Sequence, residues 1–223
     1  MKEAIKFFED EIYQFNVELG GILKKDYREY LKNKKLYYEI ATKTIKEHME
    51  VDLVNRIAKF DKVSFERFKN DWKNTIGYCN EYALTDIYNI IKAPQRATSG
   101  SAGYDIFAPI DIILKPGEAF TLPTGLRCKI DSSWFMGIFP RSGLGFKYAV
   151  RLSNTVGIID SDYYFSDNEG HIFIKLINDS SINKTVEINQ GEGIAQAIFI
   201  PFGVTTDDKC NGVRNGGLGS TTI

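Results

Sequence analysis

The chain has 223 residues, of which 43% are hydrophobic and 26% charged, enough apolar content for a globular core. Its formal net charge of -1 argues against nucleic acid or anionic membrane as a partner, because both are bound by a basic surface. Three scattered cysteines lack disulfide or zinc spacing, and no stretch is long and apolar enough to span a bilayer, so we expect a cytoplasmic protein.

Residues 1–85 are predicted to form an α-helical extension. In its first segment apolar side chains recur at spacings of three and four, which places them on one helical face: Ile5, Phe8, Ile12, Phe15 and Leu19. Gly20 and Gly21 interrupt this pattern, and a second helical segment runs from about residue 22 to residue 49. Ser64 is a suitable N-cap for a third, shorter helix.

Residues 86–213 show the different pattern of a β domain. Prolines and glycines separate short runs of β-branched and aromatic residues, at 119–122, 126–130, 134–139, 171–177, 184–188 and 194–201. Such runs at roughly regular spacing predict an all-β sandwich or barrel. The last segment, residues 214–223, is rich in glycine and is predicted to be a mobile C-terminal arm.

Two runs, 140–145 and 154–163, carry the residues with the clearest chemistry. Arg141 can bind phosphate through two parallel N–H groups, and the glycines beside it let backbone N–H groups approach anionic oxygens. Asp160 can act as a general base toward water, and Tyr163 offers a ring face to a sugar or base. Together they indicate a site for a phosphorylated nucleoside.

Five runs resemble, in order, the five motifs of the trimeric dUTP pyrophosphatase (dUTPase) family: 101–105, 140–145, 157–163, 191–196 and 214–221. The resemblance implies a mainly β domain, a distorted β-barrel of jelly-roll type, preceded here by the α-helical region. It implies a homotrimer whose sites are shared between subunits. The implied reaction is Mg²⁺-dependent hydrolysis of dUTP to dUMP and pyrophosphate, in which an Asp-activated water attacks the α-phosphorus.

The resemblance also implies a role for each matched residue. Asp160 is the water-activating carboxylate, and Tyr163 packs under the deoxyribose, where its ring would crowd a 2′-hydroxyl. Arg214 clamps the γ-phosphate, and Asp105 contacts the water shell of the Mg²⁺. The other implied substrate-binding residues are Arg141, Ser142, Gly143, Asn154, Gly157, Ile158, Ile159, Phe173, Gln196, Leu218, Gly219 and Ser220.

Some features of the chain depart from the family pattern or leave alternatives open. Leu218 stands where the family usually has a phenylalanine that stacks on uracil, so that stacking contact is lost. A dCTP deaminase has a related fold, but it needs a glutamate where this chain has Lys175. Some phage-encoded dUTPases are similar to this chain and also bind repressor proteins, so the helical extension and the inserted loop 164–169 are candidate surfaces for a protein partner.

Overall fold

The protein forms two compact units, residues 1–56 and residues 57–223. The computed structural model describes residues 2–19, 25–50, 56–181 and 183–217. Segment 57–85, which we assign from sequence to the helical extension, lies in the second unit with the β domain. This placement follows from packing, because a strand of this segment pairs with the β domain and one of its helices contributes side chains to the β domain's core.

The first unit contains two helices, α1 (Lys2–Leu19) and α2 (Lys25–Glu50), which pack against each other. Phe8 contacts Tyr38 with ring centroids 5.4 Å apart, and Leu31 is buried. The predicted N-terminal helical region is therefore confirmed, while the predicted break at Gly20 and Gly21 lies outside the described residues. In the described parts of the chain, every helix is too short or too polar to cross a bilayer.

The second unit begins with a strand, β1 (Ala58–Lys62), and two helices, α3 (Phe65–Thr75) and α4 (Glu81–Ile90). The Ser64 hydroxyl caps α3 by accepting a hydrogen bond from the Arg67 backbone N–H, which confirms the predicted N-cap. Phe68 and Trp72 of α3 are buried in the core of the β domain. Strand β1 pairs with β5, which is the second link between this segment and the β domain.

The rest of this unit is built from short antiparallel strands. They are β2 (Tyr104–Phe107), β3 (Ile112–Leu114), β4 (Ala119–Pro123), β5 (Leu126–Ile130), β6 (Trp134–Pro140), β7 (Val150–Leu152), β8 (Gly157–Ile159), β9 (Phe173–Asn178), β10 (Val186–Ile188) and β11 (Gly193–Pro201). Helix α5 (Ser142–Tyr148) follows β6, and a short 3-10 helix (Ser161–Phe165) follows β8. The mainly β fold is confirmed.

The strands form four antiparallel sheets, β2-β11-β6-β8, β4-β9-β7, β10-β3 and β1-β5. Among the described strands, these sheets do not join into one hydrogen-bonded closed barrel. Their apolar faces meet in a single core that includes Leu122, Ile138 and Leu176. Along β9 residues alternate between this core and the other face, so the strand buries Ile174 and Leu176 and leaves Lys175 exposed.

Candidate active site

A cleft of about 510 Å³ lies beside β7, β8 and β9, in the second unit. Its volume is within the range of small-molecule binding sites. It brings together most residues that the sequence predicts for catalysis and for holding the nucleoside, and its lining includes Asn154, Gly157, Ile158, Ile159, Asp160, Tyr163, Phe173 and Arg214. Strand β8 supplies three of them through its pairing with β6, which places Gly157 opposite Ile138.

Asp160 stands where β8 ends and the 3-10 helix begins. Its backbone is extended and its side chain makes no capping hydrogen bond, so the carboxylate is available to other partners. The Arg214 Nη2 donates to Asp160 Oδ2, and the Arg214 Nε donates to Asp162 Oδ1 at 2.7 Å. An arginine of the C-terminal arm thus holds both acids of the same chain.

Tyr163 is only 6% exposed and forms the inner wall of the cleft. Its hydroxyl donates to the His171 carbonyl oxygen at 2.7 Å and accepts a hydrogen bond from Asn168 Nδ2 at 2.7 Å. Burial raises the pKa of Tyr163, so the ring is a neutral surface at ordinary pH. Gly217 packs so closely on this ring that a Cβ there would lie 2.2 Å from Tyr163 Cε2.

Asn154 and Phe173 also line the cleft. Asn154 lies in the turn between β7 and β8, and Phe173 is the first residue of β9. In that turn Thr155 has a φ of 67°, an uncommon conformation for a β-branched residue. Within that turn the Val156 N–H donates to the Asn154 backbone carbonyl oxygen at 2.7 Å, a bond that involves no atom of the Asn154 side chain. An amide can both donate to and accept from a base edge.

A second cluster contains the remaining predicted phosphate and metal residues. Arg141 Nη2 donates to Asp105 Oδ2 at 3.0 Å, and Gln196 lies opposite Asp105 in the β11–β2 pair. Gln196 Nε2 also donates to the Pro140 carbonyl at 3.4 Å. The Arg141 guanidinium packs over Gly193, where a Cβ would lie 2.8 Å from Nη1. Ser142 and Gly143 open helix α5 directly after Arg141.

The described residues therefore divide the predicted site into two parts. The cleft with Asp160 has none of Asp105, Arg141, Ser142, Gly143 and Gln196 in its lining. One part carries Asp160, Arg214 and the residues predicted to bind the nucleoside, and the other carries the remaining residues predicted to bind phosphate. Leu218, Gly219 and Ser220, which are predicted to complete the arm, lie outside the described residues.

Three polar residues of the cleft are missing from the predicted substrate-binding set: Thr121, Ser153 and Lys175. Lys175 could have been found, because strand alternation puts it on the same face of β9 as Phe173. Thr121 faces Lys175 in the β4–β9 pair, and this pairing cannot be read from local pattern. Asp162, the second partner of Arg214, stood within the matched motif but had no predicted role.

Whether the described residues suit a magnesium ion depends on the carboxylates near Arg141. In the part of the chain that the structure describes, no group of three or more His, Cys, Asp or Glu side chains could hold a metal directly. Arg141 binds one oxygen of Asp105, so the other oxygen is suited to accept from a metal-bound water. Mg²⁺ keeps several waters and takes few protein ligands, so these residues fit an ion carried by a phosphorylated substrate.

Comparisons with known proteins identify the family of the chain. A family model described as dUTPase matches residues 89–221. The deoxyuridine 5'-triphosphate nucleotidohydrolase of Lactococcus lactis subsp. lactis (strain IL1403) is 40% identical over 134 residues, which cover 59% of this chain and 88% of the relative. The protein of the same name from Cronobacter sakazakii (strain ATCC BAA-894) is 42% identical over 134 residues, covering 56% of this chain and 84% of the relative.

Among solved structures, that of dUTPase from Streptococcus mutans has 30% sequence identity and a TM-score of 0.48, and it covers 66% of this chain and 97% of that chain. The family match spans more than half of this chain, and the relatives are matched over most of their length. The chain belongs to the dUTPase family.

Proposed function

We propose that the protein hydrolyses dUTP to dUMP and pyrophosphate. The relatives described above are named for acting on deoxyuridine 5'-triphosphate. The observation that carries the proposal is that Asp160, Asn154, Tyr163 and Phe173 line the same cleft. A carboxylate, a base-pairing amide and a buried ring in one cleft suit hydrolysis next to a bound nucleoside.

In this proposal Asp160 accepts a proton from the attacking water while the water oxygen bonds to the α-phosphorus. The bond from the α-phosphorus to the bridging oxygen then breaks, and pyrophosphate leaves. Asp160 must lie within hydrogen-bond reach of the water, at about 3 Å. Because its side chain is 48% exposed, water reaches the carboxylate once Arg214 moves to the triphosphate.

Substrate selection is assigned to the inner walls of the cleft. The Asn154 amide pairs with the uracil edge, and the backbone near Phe173 completes the slot for the base. Tyr163 packs under the sugar, and its buried position leaves it little freedom to yield to a 2′-hydroxyl. Deoxynucleotides are therefore preferred over ribonucleotides.

Charge on the triphosphate is balanced by Arg141, Arg214 and Mg²⁺. Bound Mg²⁺ supplies charge neutralisation and aligns the phosphates for displacement. Asp105 would hold a water of the ion, as its second oxygen allows. Arg141 and the backbone N–H groups at the start of α5 would bind phosphate oxygens.

We further propose that the protein is a homotrimer in which each site combines the Asp160 cleft of one subunit with the Arg141 cluster of another. The separation of the two parts on one chain supports this arrangement. It can be tested by mixing two inactive variants, Asp160→Asn and Arg141→Ala, in refolded trimers. About one quarter of the sites in an equal mixture would have both residues intact if they come from different subunits. No recovered turnover would refute shared sites.

The activity itself is tested by measuring pyrophosphate release from the four dNTPs and UTP, with and without Mg²⁺. We expect release from dUTP alone, dependent on Mg²⁺. Asp160→Asn should still bind dUTP but lose turnover by about 100-fold or more, since it removes the base and keeps the shape. Turnover near the wild-type rate in this variant would remove Asp160 from the mechanism.

The alternative activity, deamination of dCTP, needs an acid–base carboxylate in the cleft on the strand after Asp160. Lys175 occupies that strand in the cleft, so the required carboxylate is replaced by an amine. Ammonia release from dCTP would favour deamination over our proposal. Binding of a regulatory protein by the N-terminal helices stays a prediction, tested by a pulldown that compares the full chain with one lacking residues 1–50.

A further inference from the structure

A buried histidine lies directly behind the cleft and is held by a helix outside the family match. His171 has 0% exposure, and its Nδ1 lies 2.6 Å from Asp71 Oδ2. Asp71 belongs to α3, whereas the dUTPase family model begins at residue 89. The pair therefore joins a segment outside the family match to the domain that carries the proposed activity.

The tautomer of His171 follows from its other nitrogen. The Gly125 backbone N–H donates to His171 Nε2 at 2.8 Å, so Nε2 carries no proton. The Nδ1 then carries the proton and donates it to the Asp71 carboxylate. Both ring nitrogens are thus bound, one by α3 and one by the β4–β5 turn, which fixes the position and the plane of the imidazole.

His171 in turn contacts two residues of the cleft. Its carbonyl oxygen accepts the hydrogen bond from the Tyr163 hydroxyl at 2.7 Å. Its ring packs against the Phe173 ring with centroids 4.7 Å apart. Tyr163 and Phe173 both line the cleft, so any shift of His171 moves the surface on which a sugar and a base would rest.

The same part of α3 holds the loop between Tyr163 and His171 at further points. Arg67 Nη2 donates to the Asp167 carbonyl at 3.0 Å, and Arg67 Nη1 lies 3.4 Å from Asp71 Oδ1. The Ser64 hydroxyl and backbone N–H donate to the Glu169 carboxylate at 2.7 Å and 2.8 Å. These three hydrogen bonds, two from Ser64 and one from Arg67, hold the loop in a fixed position relative to α3.

We propose that Asp71 is a positioning residue for nucleoside selection. Through the His171 ring it holds the Tyr163 hydroxyl and the start of β9 in place, and so sets how firmly the cleft rejects a ribose. The inference rests on the proposed function, in which Tyr163 packs under the deoxyribose. Under this proposal α3, which lies outside the residues matched by the family model, contributes to substrate specificity.

The test compares kcat/KM for dUTP and UTP in wild type, Asp71→Ala and Asp71→Asn. We expect the alanine variant to lose about tenfold in the preference for dUTP, mainly through improved use of UTP. The asparagine variant keeps an oxygen that can accept from Nδ1 and should restore most of the preference. Lys69→Ala is the matched control, since Lys69 lies on α3 but pairs with Glu81, away from the cleft.

Amide hydrogen exchange supplies a readout independent of turnover. Residues 161–171 should exchange faster in Asp71→Ala, while Lys69→Ala leaves them unchanged. If Asp71→Ala does not fold, Arg67→Ala decides the question, since it removes the Arg67 Nη1 contact with Asp71 Oδ1 that helps to orient the Asp71 carboxylate toward His171. It should shift the preference in the same direction by a smaller factor.

The outcomes separate the two proposals. Wild-type protein that releases no pyrophosphate from dUTP would refute the proposed function. Active wild type with an unchanged dUTP preference in both Asp71→Ala and Arg67→Ala would refute the positioning role alone. An equal loss in Lys69→Ala would also refute it, because the effect would then come from general weakening of α3.

Discussion

The contact of Arg214 with two acids predicts that the C-terminal arm rests on its own subunit's cleft when no nucleotide is bound. Arg214 is 18% exposed, while Asp160 and Asp162 are 48% and 55% exposed. Ion pairs of this exposure contribute about 0.2–1 kcal/mol each. Two such pairs contribute about 1 kcal/mol, which corresponds to a ratio of roughly five between docked and free arms.

A docking free energy of this size has a functional consequence. It is large enough to keep the arm near Asp160 for most of the time, and small enough for phosphate groups to displace it. Arg214→Ala should therefore lower the docked-to-free ratio by about fivefold. Arg214→Lys should give an intermediate ratio, because an ammonium cannot bridge Asp160 and Asp162 as the planar guanidinium does.

The chain offers its own site for a label that reports on arm docking. Cys210 is exposed and lies just before Arg214, whereas burial raises the pKa of the Cys128 thiol to about 12 and keeps it unreactive. With the partly exposed Cys79 changed to serine, a fluorophore on Cys210 can report arm motion by anisotropy.

We expect the anisotropy to fall in Arg214→Ala and to fall with added salt in the wild type, since salt screens exposed pairs. Lys209→Ala removes the same charge from an exposed neighbouring position and serves as the control. Wild-type anisotropy that equals that of Arg214→Ala at low salt would refute docking of the arm on its own cleft.

Two further predictions concern the segment that precedes the family match. Phe68 is fully buried, so Phe68→Ala should lower the free energy of unfolding by about 3–5 kcal/mol, measured by urea denaturation; a loss below 1 kcal/mol would show that α3 is not part of the core. Burial tends to raise the pKa of Glu169, but hydrogen bonds from Ser64 and the charge of Arg127 hold it below the usual value for a glutamate. The resulting stabilisation is present above that value and is lost as pH falls through the lower folded-state pKa. Glu169→Gln should therefore lose less stability than wild type between about pH 5 and pH 3, and equal losses would contradict the assigned contacts.

Part of the candidate site could be predicted because its residues are close in sequence. Asn154 lies in the turn before β8, Asp160 directly follows β8 and Tyr163 lies in the 3-10 helix, so local geometry brings them to the same cleft. The Ser64 N-cap was predictable for the same reason, because a capping bond spans three residues. Their proposed roles came from the family resemblance.

Other features depend on contacts between residues far apart in the chain. Strand β1 pairs with β5, joining Phe60 to Cys128, and no local pattern specifies that partner. The bond between Asp71 and His171 spans 100 residues, and neither side chain has a local pattern that names its partner. The Arg214 contact with Asp160 likewise depends on the path of the whole C-terminal segment.

The segment between the predicted helical region and the β domain shows the difference between what a local sequence pattern indicates and what long-range contacts determine. The Ser64 N-cap correctly indicates a short helix at this point, but a cap does not identify what the helix packs against. In the structure Phe68 and Trp72 belong to the same core as Leu122 and Leu176. A helix that shares the core of a domain, and whose polar side holds the loop behind the candidate cleft, cannot change without affecting that loop. Residues 57–88 therefore pack as part of the second unit, together with the strands that line the cleft.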